Sequence, residues 1–323
     1  MEAVLNALNS AQKVLILTHV RPDGDALGTS FALRQFLREA GKVAEVFLLD
    51  SVPNRYRKLC VAPLTPENFT SLDDFDLVLL LDCAAASRIG FPAELGNIPP
   101  EKLINVDHHR NNDIVAQISI VDPNASSCAE IAARLVMQKS SPLSPEVATL
   151  LLLGMITDTG CFKFSNTTGS AMRMAAKLLD AGAELETLVN AIYFSNPLNQ
   201  LQLQADLIKN HLRFSGNGQF VYAYLSPELL AKHDFELKES ENLIDLLRSI
   251  DTAVVAALIY RSNGNFKISL RSKDSRYPIL DIARSFNGGG HLLAGGATVE
   301  AASFAEVEKR LVSEVEKLFA LAR

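Results

Sequence analysis

Five consecutive apolar side chains, Leu77 to Leu81, are followed without transition by an aspartate, Asp82. Side chains of a strand point alternately to its two faces, so a run apolar at every position needs both faces covered. This predicts a central strand of a buried sheet, ending in a charge. Lys13 to Thr18, Val43 to Leu49 and Leu103 to Val106 read as companion strands, and an amphipathic stretch from Ala26 to Ala40, closed by Gly41, reads as a helix. Continuous apolar strands alternating with helices imply an α/β domain with a mostly parallel sheet and helices on both faces.

The chain of 323 residues is longer than a single core usually supports, and with 48% apolar and 21% charged residues it has the composition of an ordinary globular protein. Helical spacing dominates Ala129 to Gln138, Pro145 to Thr157, Gly169 to Asp180 and Leu185 to Ile192, and a further helix is expected from Pro197 to about Leu212. After a turn at Gly216, Asn217 and Gly218 the pattern changes. Gln219 to Leu225, Ala253 to Tyr260 and Phe266 to Arg271 read as strands, the last two joined by a hairpin at Ser262, Asn263 and Gly264. Helices are expected at Ile279 to Phe286 and Phe304 to Leu321. The predicted organisation is a metal-binding catalytic domain over 1–194, a connecting helix over 195–217 and a smaller α/β substrate-binding domain over 218–323.

The apolar stretch Val14 to Leu17 is followed at once by His19, Arg21, Asp23 and Asp25, so neither a signal peptide nor a membrane span fits, and a cytoplasmic protein with no membrane partner is expected. Cys60, Cys83, Cys128 and Cys161 form no CxxC pair and read as small buried hydrophobes. A net charge of −6 argues against coating of long nucleic acid. Between Leu258 and His291, however, Arg261, Lys267, Arg271, Lys273, Arg276 and Arg284 face only Asp274 and Asp281, a local excess that suits a compact anionic ligand.

Four segments carry the chemistry. His19, Asp23 and Asp25 leave the first predicted strand at its carboxyl end, where open α/β sheets bind ligands. Asp82 follows the buried run. Asp107, His108 and His109 follow Leu103 to Val106, and Asp158, in the sequence Thr157 to Gly160, closes a helix whose C-terminal dipole disfavours a carboxylate without a nearby cation. Singly, each aspartate has a structural explanation as a cap or loop residue. Together they converge on an oxygen-rich site with one or two imidazoles, which favours Mn²⁺ or Mg²⁺ over thiolate-held zinc, as a pair of ions roughly 3.5–4 Å apart. In the second region, Gly288, Gly289, Gly290 and His291, with Arg271, Ser272 and Lys273 upstream, are candidates for gripping phosphate through backbone amides and cationic side chains.

In this order these segments resemble the four motifs of the DHH phosphoesterase family, and Gly288 to His291 resembles the glycine signature of its DHH-associated C-terminal domain of the first type. The likeness spans nearly the whole chain. It implies a two-Mn²⁺ phosphoesterase (Mg²⁺ being the alternative), with His19, Asp23 and Asp82 on one ion, Asp25, Asp82, His108 and Asp158 on the other, and Asp82 bridging. Asp107 would orient a histidine, His109 would contact phosphate or assist proton transfer, and Arg88 would reach the site. Where many members carry a polar residue after the strand-end aspartate, Ala84, Ala85 and Ala86 follow here, which puts support of the metal ligands in question. The length fits the compact branch that hydrolyses oligonucleotides of about two to five nucleotides, RNA or DNA, or 3'-phosphoadenosine 5'-phosphate to mononucleotides, and leaves little room for the oligonucleotide-binding barrel of larger members. A homodimer is the family expectation. Cyclic or linear dinucleotides are the alternative substrates, then polyphosphate or pyrophosphate, and a non-catalytic nucleotide-binding protein is the rival from another class.

Overall fold

The computed structural model describes residues 1–138, 142–237, 243–290 and 292–321; His291 of the glycine motif lies outside them. The chain divides into two compact units, Met1–Ser195 and Asn196–Arg323. In the first, α1 (Glu2–Ser10), β1 (Lys13–Leu17), α2 (Gly24–Glu39), β2 (Val43–Val46), β3 (Leu77–Leu81), β4 (Leu103–Asp107) and β5 (Ile118–Val121) are followed by four helices, α3 (Cys128–Val136), α4 (Pro145–Asp158), α5 (Gly169–Asp180) and α6 (Leu185–Tyr193). The five strands form one parallel sheet in the order β2-β1-β3-β4-β5.

Every residue of β3 is buried, which the sheet achieves by two unlike covers. Val14, Ile16, Leu77, Leu79, Ile104 and Val106 pack with apolar residues of the α-helices. Leu15, Leu17, Val78, Leu80 and Leu103 meet a phenylalanine-rich segment instead, in which Phe47, Phe69, Phe75 and Phe91 make mostly edge-to-face contacts. Both faces are thus dry. The second cover is built from short 3-10 turns, which is why 47–102 shows little helical period in the sequence.

In the second unit α7 (Leu198–Asp206) runs into a π-helical turn over Leu207–His211 and is followed by β6 (Arg213–Ser215), β7 (Phe220–Leu225), α8 (Pro227–Lys232), α9 (Leu243–Arg248), β8 (Val255–Ser262), β9 (Asn265–Ser272), α10 (Leu280–Ser285), β10 (Gly289–Gly290), β11 (Ala294–Val299) and α11 (Phe304–Leu321). The sheet order is β10-β11-β9-β8-β7-β6, with only β7 and β8 parallel. Left-handed Asn263 and Gly264 make the hairpin turn that the sequence predicts. Three of the four cysteines are buried. No helix of the described residues is long and apolar enough to cross a membrane.

One contact of the first unit fixes the position of a candidate ligand. Helices α2 and α4 meet backbone to backbone, because a methyl group at Gly28 would lie 2.6 Å from the Leu150 carbonyl oxygen and 2.8 Å from the Gly154 amide nitrogen. Gly154 in turn leaves room for Asp25, whose Oδ1 would lie 2.6 Å from an added Cβ. Close approach of these helices brings Asp25, in the first turn of α2, beside Asp158, at the end of α4. Gly28→Ala is therefore expected to cost about 1–3 kcal/mol, the usual range for overpacking a core, and to weaken divalent-ion binding; thermal melting with and without Mn²⁺ measures both.

Candidate metal centre

The strand ends are shaped to present side chains. Asp82 continues β3 for one residue, its amide donating to the Val106 carbonyl, and then turns in the left-handed region at φ +54. Such a backbone costs an aspartate on the order of 1 kcal/mol and is typical of residues held for function. Arg21, also left-handed, is held by its amide donating to the Asp50 carboxylate at 2.6 Å, which anchors the loop between β1 and α2.

Asp23 is the N-cap of α2, its Oδ1 accepting from the amides of Asp25 and Ala26. Its Oδ2 meanwhile faces His19 Nε2 at 3.9 Å. The cap and the candidate ligand are one residue using different oxygens. Asp25 is fully buried; its carboxylate accepts from Cys128 N at 2.7 Å and Ala129 N at 2.9 Å, so it sits on the N-terminus of α3, where the helix dipole favours an anion. Asp158, at the C-terminal end of α4, has no such help. Asn166 reaches both its carbonyl and, at 3.4 Å, its carboxylate.

These side chains gather around Asp82. Its Oδ2 lies 3.8 Å from His19 Nε2, while its Oδ1 lies 3.5 Å from His108 Nε2 and 3.7 Å from His109 Nδ1. His108 Nε2 is also 3.7 Å from Asp158 and 4.0 Å from Asp25. Three groups have ligand atoms within 4.8 Å of one another: His19, Asp23 and Asp82; Asp25, His108 and Asp158; and Asp82, Asp107, His108 and His109. The structure therefore brings together every residue singled out in the first half of the chain.

The electrostatics of this cluster are those of a site made for cations. Burial, and then the charges of Asp25, Asp23, Asp158 and Asp107, push the Asp82 carboxyl well above its ordinary range. Burial followed by Asp25 and Asp23 does the same to Asp158. Burial also raises Asp25, eased by His108. His19 is shifted down by burial against the pull of Asp23, so its ring is held neutral, as a ligand must be. His19 Nδ1 lies 2.9 Å from the Val20 carbonyl, an acceptor only, which assigns the proton to Nδ1 and turns the Nε2 lone pair toward Asp23 and Asp82. Asp82 Oδ1 is buried and accepts no hydrogen bond among the described residues. An orphaned carboxylate oxygen among imidazoles and further carboxylates fits a divalent ion that prefers oxygen and nitrogen donors.

Asp107 behaves differently. Burial alone would raise it, but the hydrogen bond and charge of His109, and the Asn112 amide, outweigh burial and hold it below the ordinary range. It accepts from His109 Nδ1 at 2.7 Å and from Asn112 Nδ2 at 2.7 Å. Sequence reading did not single out Asn112, Asn166 or Asp50, because an asparagine or aspartate in a loop carries no period; only the fixed distance of Asn112 from the Asp-His-His triplet hints at a role.

Of the candidate substrate residues, Arg88 lies at the site, its Nη2 3.2 Å from His19 Nδ1. Since that nitrogen carries a proton, Arg88 stands beside the ring rather than bonded to it, and its charge adds to the burial that lowers the His19 pKa. The second-unit residues are more engaged than the sequence suggested. Arg271 donates to the Leu270 carbonyl, and burial lowers its pKa, partly offset by Asp245. Ser272 closes a turn on Asp274, and Lys273 reaches the Ile250 carbonyl. Gly289 and Gly290 are an edge strand pairing with Gly296 and Gly295 rather than an open loop, and an added Cβ at Gly288 would meet the Gly296 oxygen at 2.1 Å. Close strand approach is thus one reason for glycine there.

Comparison with known proteins agrees with this geometry. Residues 13–155 match the DHH family, N-terminal domain, and residues 217–321 match the DHHA1 domain. The chain is 30% identical over 319 residues to the bifunctional oligoribonuclease and PAP phosphatase NrnA of Thermus thermophilus, covering 98% of this chain and 94% of the relative. It is 27% identical to the protein of the same name from Bacillus subtilis, covering 98% and 97%. Among solved structures, an exopolyphosphatase-related protein of Bacteroides fragilis superposes with a TM-score of 0.90 at 26% identity, covering 99% of this chain and 96% of that one. RecJ of Thermus thermophilus, solved with Mn²⁺, shares the fold at a TM-score of 0.58 and 16% identity, covering 98% of this chain and 54% of that one. The chain belongs to the DHH family, and pairs the DHH domain with a DHHA1 domain.

Proposed function

We propose that this protein is a manganese-dependent phosphoesterase that hydrolyses short oligonucleotides and 3'-phosphoadenosine 5'-phosphate to mononucleotides. The observation that carries the reading is Asp82, placed with one oxygen toward His19 and the other toward His108, so that a single carboxylate serves two neighbouring ligand groups. The oligoribonuclease and phosphatase activities named for relatives of nearly equal length supply the substrate class.

In this reading His19, Asp23 and Asp82 would hold one ion, and Asp25, Asp82, His108 and Asp158 would hold the other. When bound there, divalent ions would supply Lewis-acid activation of water and offset charge on the phosphate. The protein supplies the rest. Asp107 fixes the His109 ring, which faces the phosphate or the departing oxygen as proton carrier, and Arg88 adds positive charge beside carboxylates that would otherwise repel an anion. In the second unit, Arg271, Lys273 and the backbone of Gly288 to Gly290 are the candidates for recognising phosphate.

Three measurements test this. A Mn²⁺-dependent panel of pApA, short RNA, 3'-phosphoadenosine 5'-phosphate, cyclic di-AMP and pyrophosphate should show turnover of the first three; turnover of pyrophosphate alone would overturn the substrate assignment. Asp82→Asn should abolish hydrolysis and yet raise the melting temperature of the metal-free protein by a few degrees, about 2–4 °C per kcal/mol for a domain of this size, because it removes one of several repelling buried carboxylates. Finally, Asp82 and Asp158 have folded pKa values above their unfolded ones. Their contribution to the stability of the metal-free fold is therefore full below the ordinary carboxylate range, near pH 4, and is lost as pH rises through the raised values. Metal binding displaces those protons, so Mn²⁺ affinity should fall as pH falls across the same window, with proton release measurable by calorimetry in buffers of different ionisation enthalpy.

A further inference from the structure

The three alanines after Cys83 leave the strand-end loop without side-chain support of its own, yet the loop is held. The support comes from the loop after the neighbouring parallel strand, β4. Asn112 Nδ2 donates to the Cys83 carbonyl at 3.1 Å and to Asp107 Oδ2 at 2.7 Å. Its Oδ1 accepts from the Ile114 amide at 3.0 Å and from Asn105 Nδ2 at 3.2 Å, and Asn105, fully buried in β4, also donates to Ser119 in β5. Both donor protons and the carbonyl of Asn112 are in use, so its amide has one orientation. Next to it, Asp113 clamps the same loop: its amide donates to the Ala84 carbonyl, and its carboxylate accepts from the Ala86 amide at 2.7 Å.

We propose that Asn112 is a positioning residue: it ties the loop after Asp82 to Asp107, and through Asp107 it fixes the His109 ring with the proton on Nδ1. The carboxylate of Asp107 has two oxygens with separate tasks. Oδ1 takes the His108 amide and His109 Nδ1, while Oδ2 takes Asn112. Without the Asn112 donor the carboxylate keeps only one anchored edge and rotates about its Cβ–Cγ bond, and the imidazole loses its reference. Asp113 holds the loop but does not touch Asp107, so the two neighbours separate loop anchoring from ring positioning.

The kinetic part of this inference rests on the hydrolase reading; the structural part does not. In metal-free protein at a pH where the ring is neutral, the nitrogen-15 shifts of the His109 imidazole should report a proton on Nδ1, and the Asn112 side-chain amide protons should exchange slowly. Asn112→Ala and Asn112→Leu should each give a mixture of His109 tautomers, whereas Asp113→Ala should leave the tautomer unchanged. In the active enzyme Asn112→Ala should lower kcat about ten- to a hundredfold, the usual range for such supporting partners, with KM little changed. An unaltered tautomer in a folded Asn112 variant, an equal change in Asp113→Ala, or rapid exchange of the wild-type Asn112 amide would overturn the proposal. If no phosphoester is hydrolysed, the functional reading fails while the tautomer result still decides the role of Asn112.

Discussion

Crowding of carboxylates at the ends of parallel strands is the constraint on which the rest of this domain depends. Buried aspartates repel one another and lose the hydration that stabilises their charge. Asp82 bears most of this, being almost fully buried with Asp25, Asp158, Asp23 and Asp107 around it. The fold does not avoid the conflict; it is organised to sustain it. Parallel strands end together at one edge, the left-handed turn at Asp82 points its carboxylate into that edge, and glycines at positions 28 and 154 let α2 and α4 close on it. Each aspartate is then made partly tolerable by a different device: a capping role for Asp23, the α3 N-terminus for Asp25, and His109 with Asn112 for Asp107.

What is left over is informative. Among the described residues, Asp82 Oδ1 has no donor, and the Asp158 carboxylate has one long contact, from Asn166. These two have the carboxyls pushed furthest up, and they are also the groups that a divalent ion would neutralise. Stability and activity therefore make opposite demands on the same residues, as is common where a site stores unfavourable interactions for its ligand.

Much of this was legible in the sequence, and for a physical reason. A charge that interrupts a wholly apolar run is costly, so Asp82 after Leu77–Leu81 announces either a cap or a ligand, and the Asp-His-His triplet after β4 repeats the message. The long helices α5 and α11 were equally plain from their period. Three things were hidden. The phenylalanine-rich cover of the second sheet face has no regular repeat. The glycines at 288 to 290 read as a run that grips phosphate through its amides, but Gly289 and Gly290 pair as β10 with Gly296 and Gly295 of β11, since a run of glycines signals close approach without saying of what. And the support for the Ala84–Ala86 loop comes from Asn112 and Asp113, residues about thirty positions away that only the adjacency of β3 and β4 brings near.

Whether Asp82 joins two ions decides the chemistry open to this site. Electron paramagnetic resonance of the protein loaded with two equivalents of Mn²⁺ tests this directly, since two ions sharing a carboxylate are magnetically coupled. A coupled-pair spectrum that reverts to the six-line signal of isolated Mn²⁺ in Asp82→Asn is the predicted result; isolated-ion signals in the wild type at full loading would contradict it.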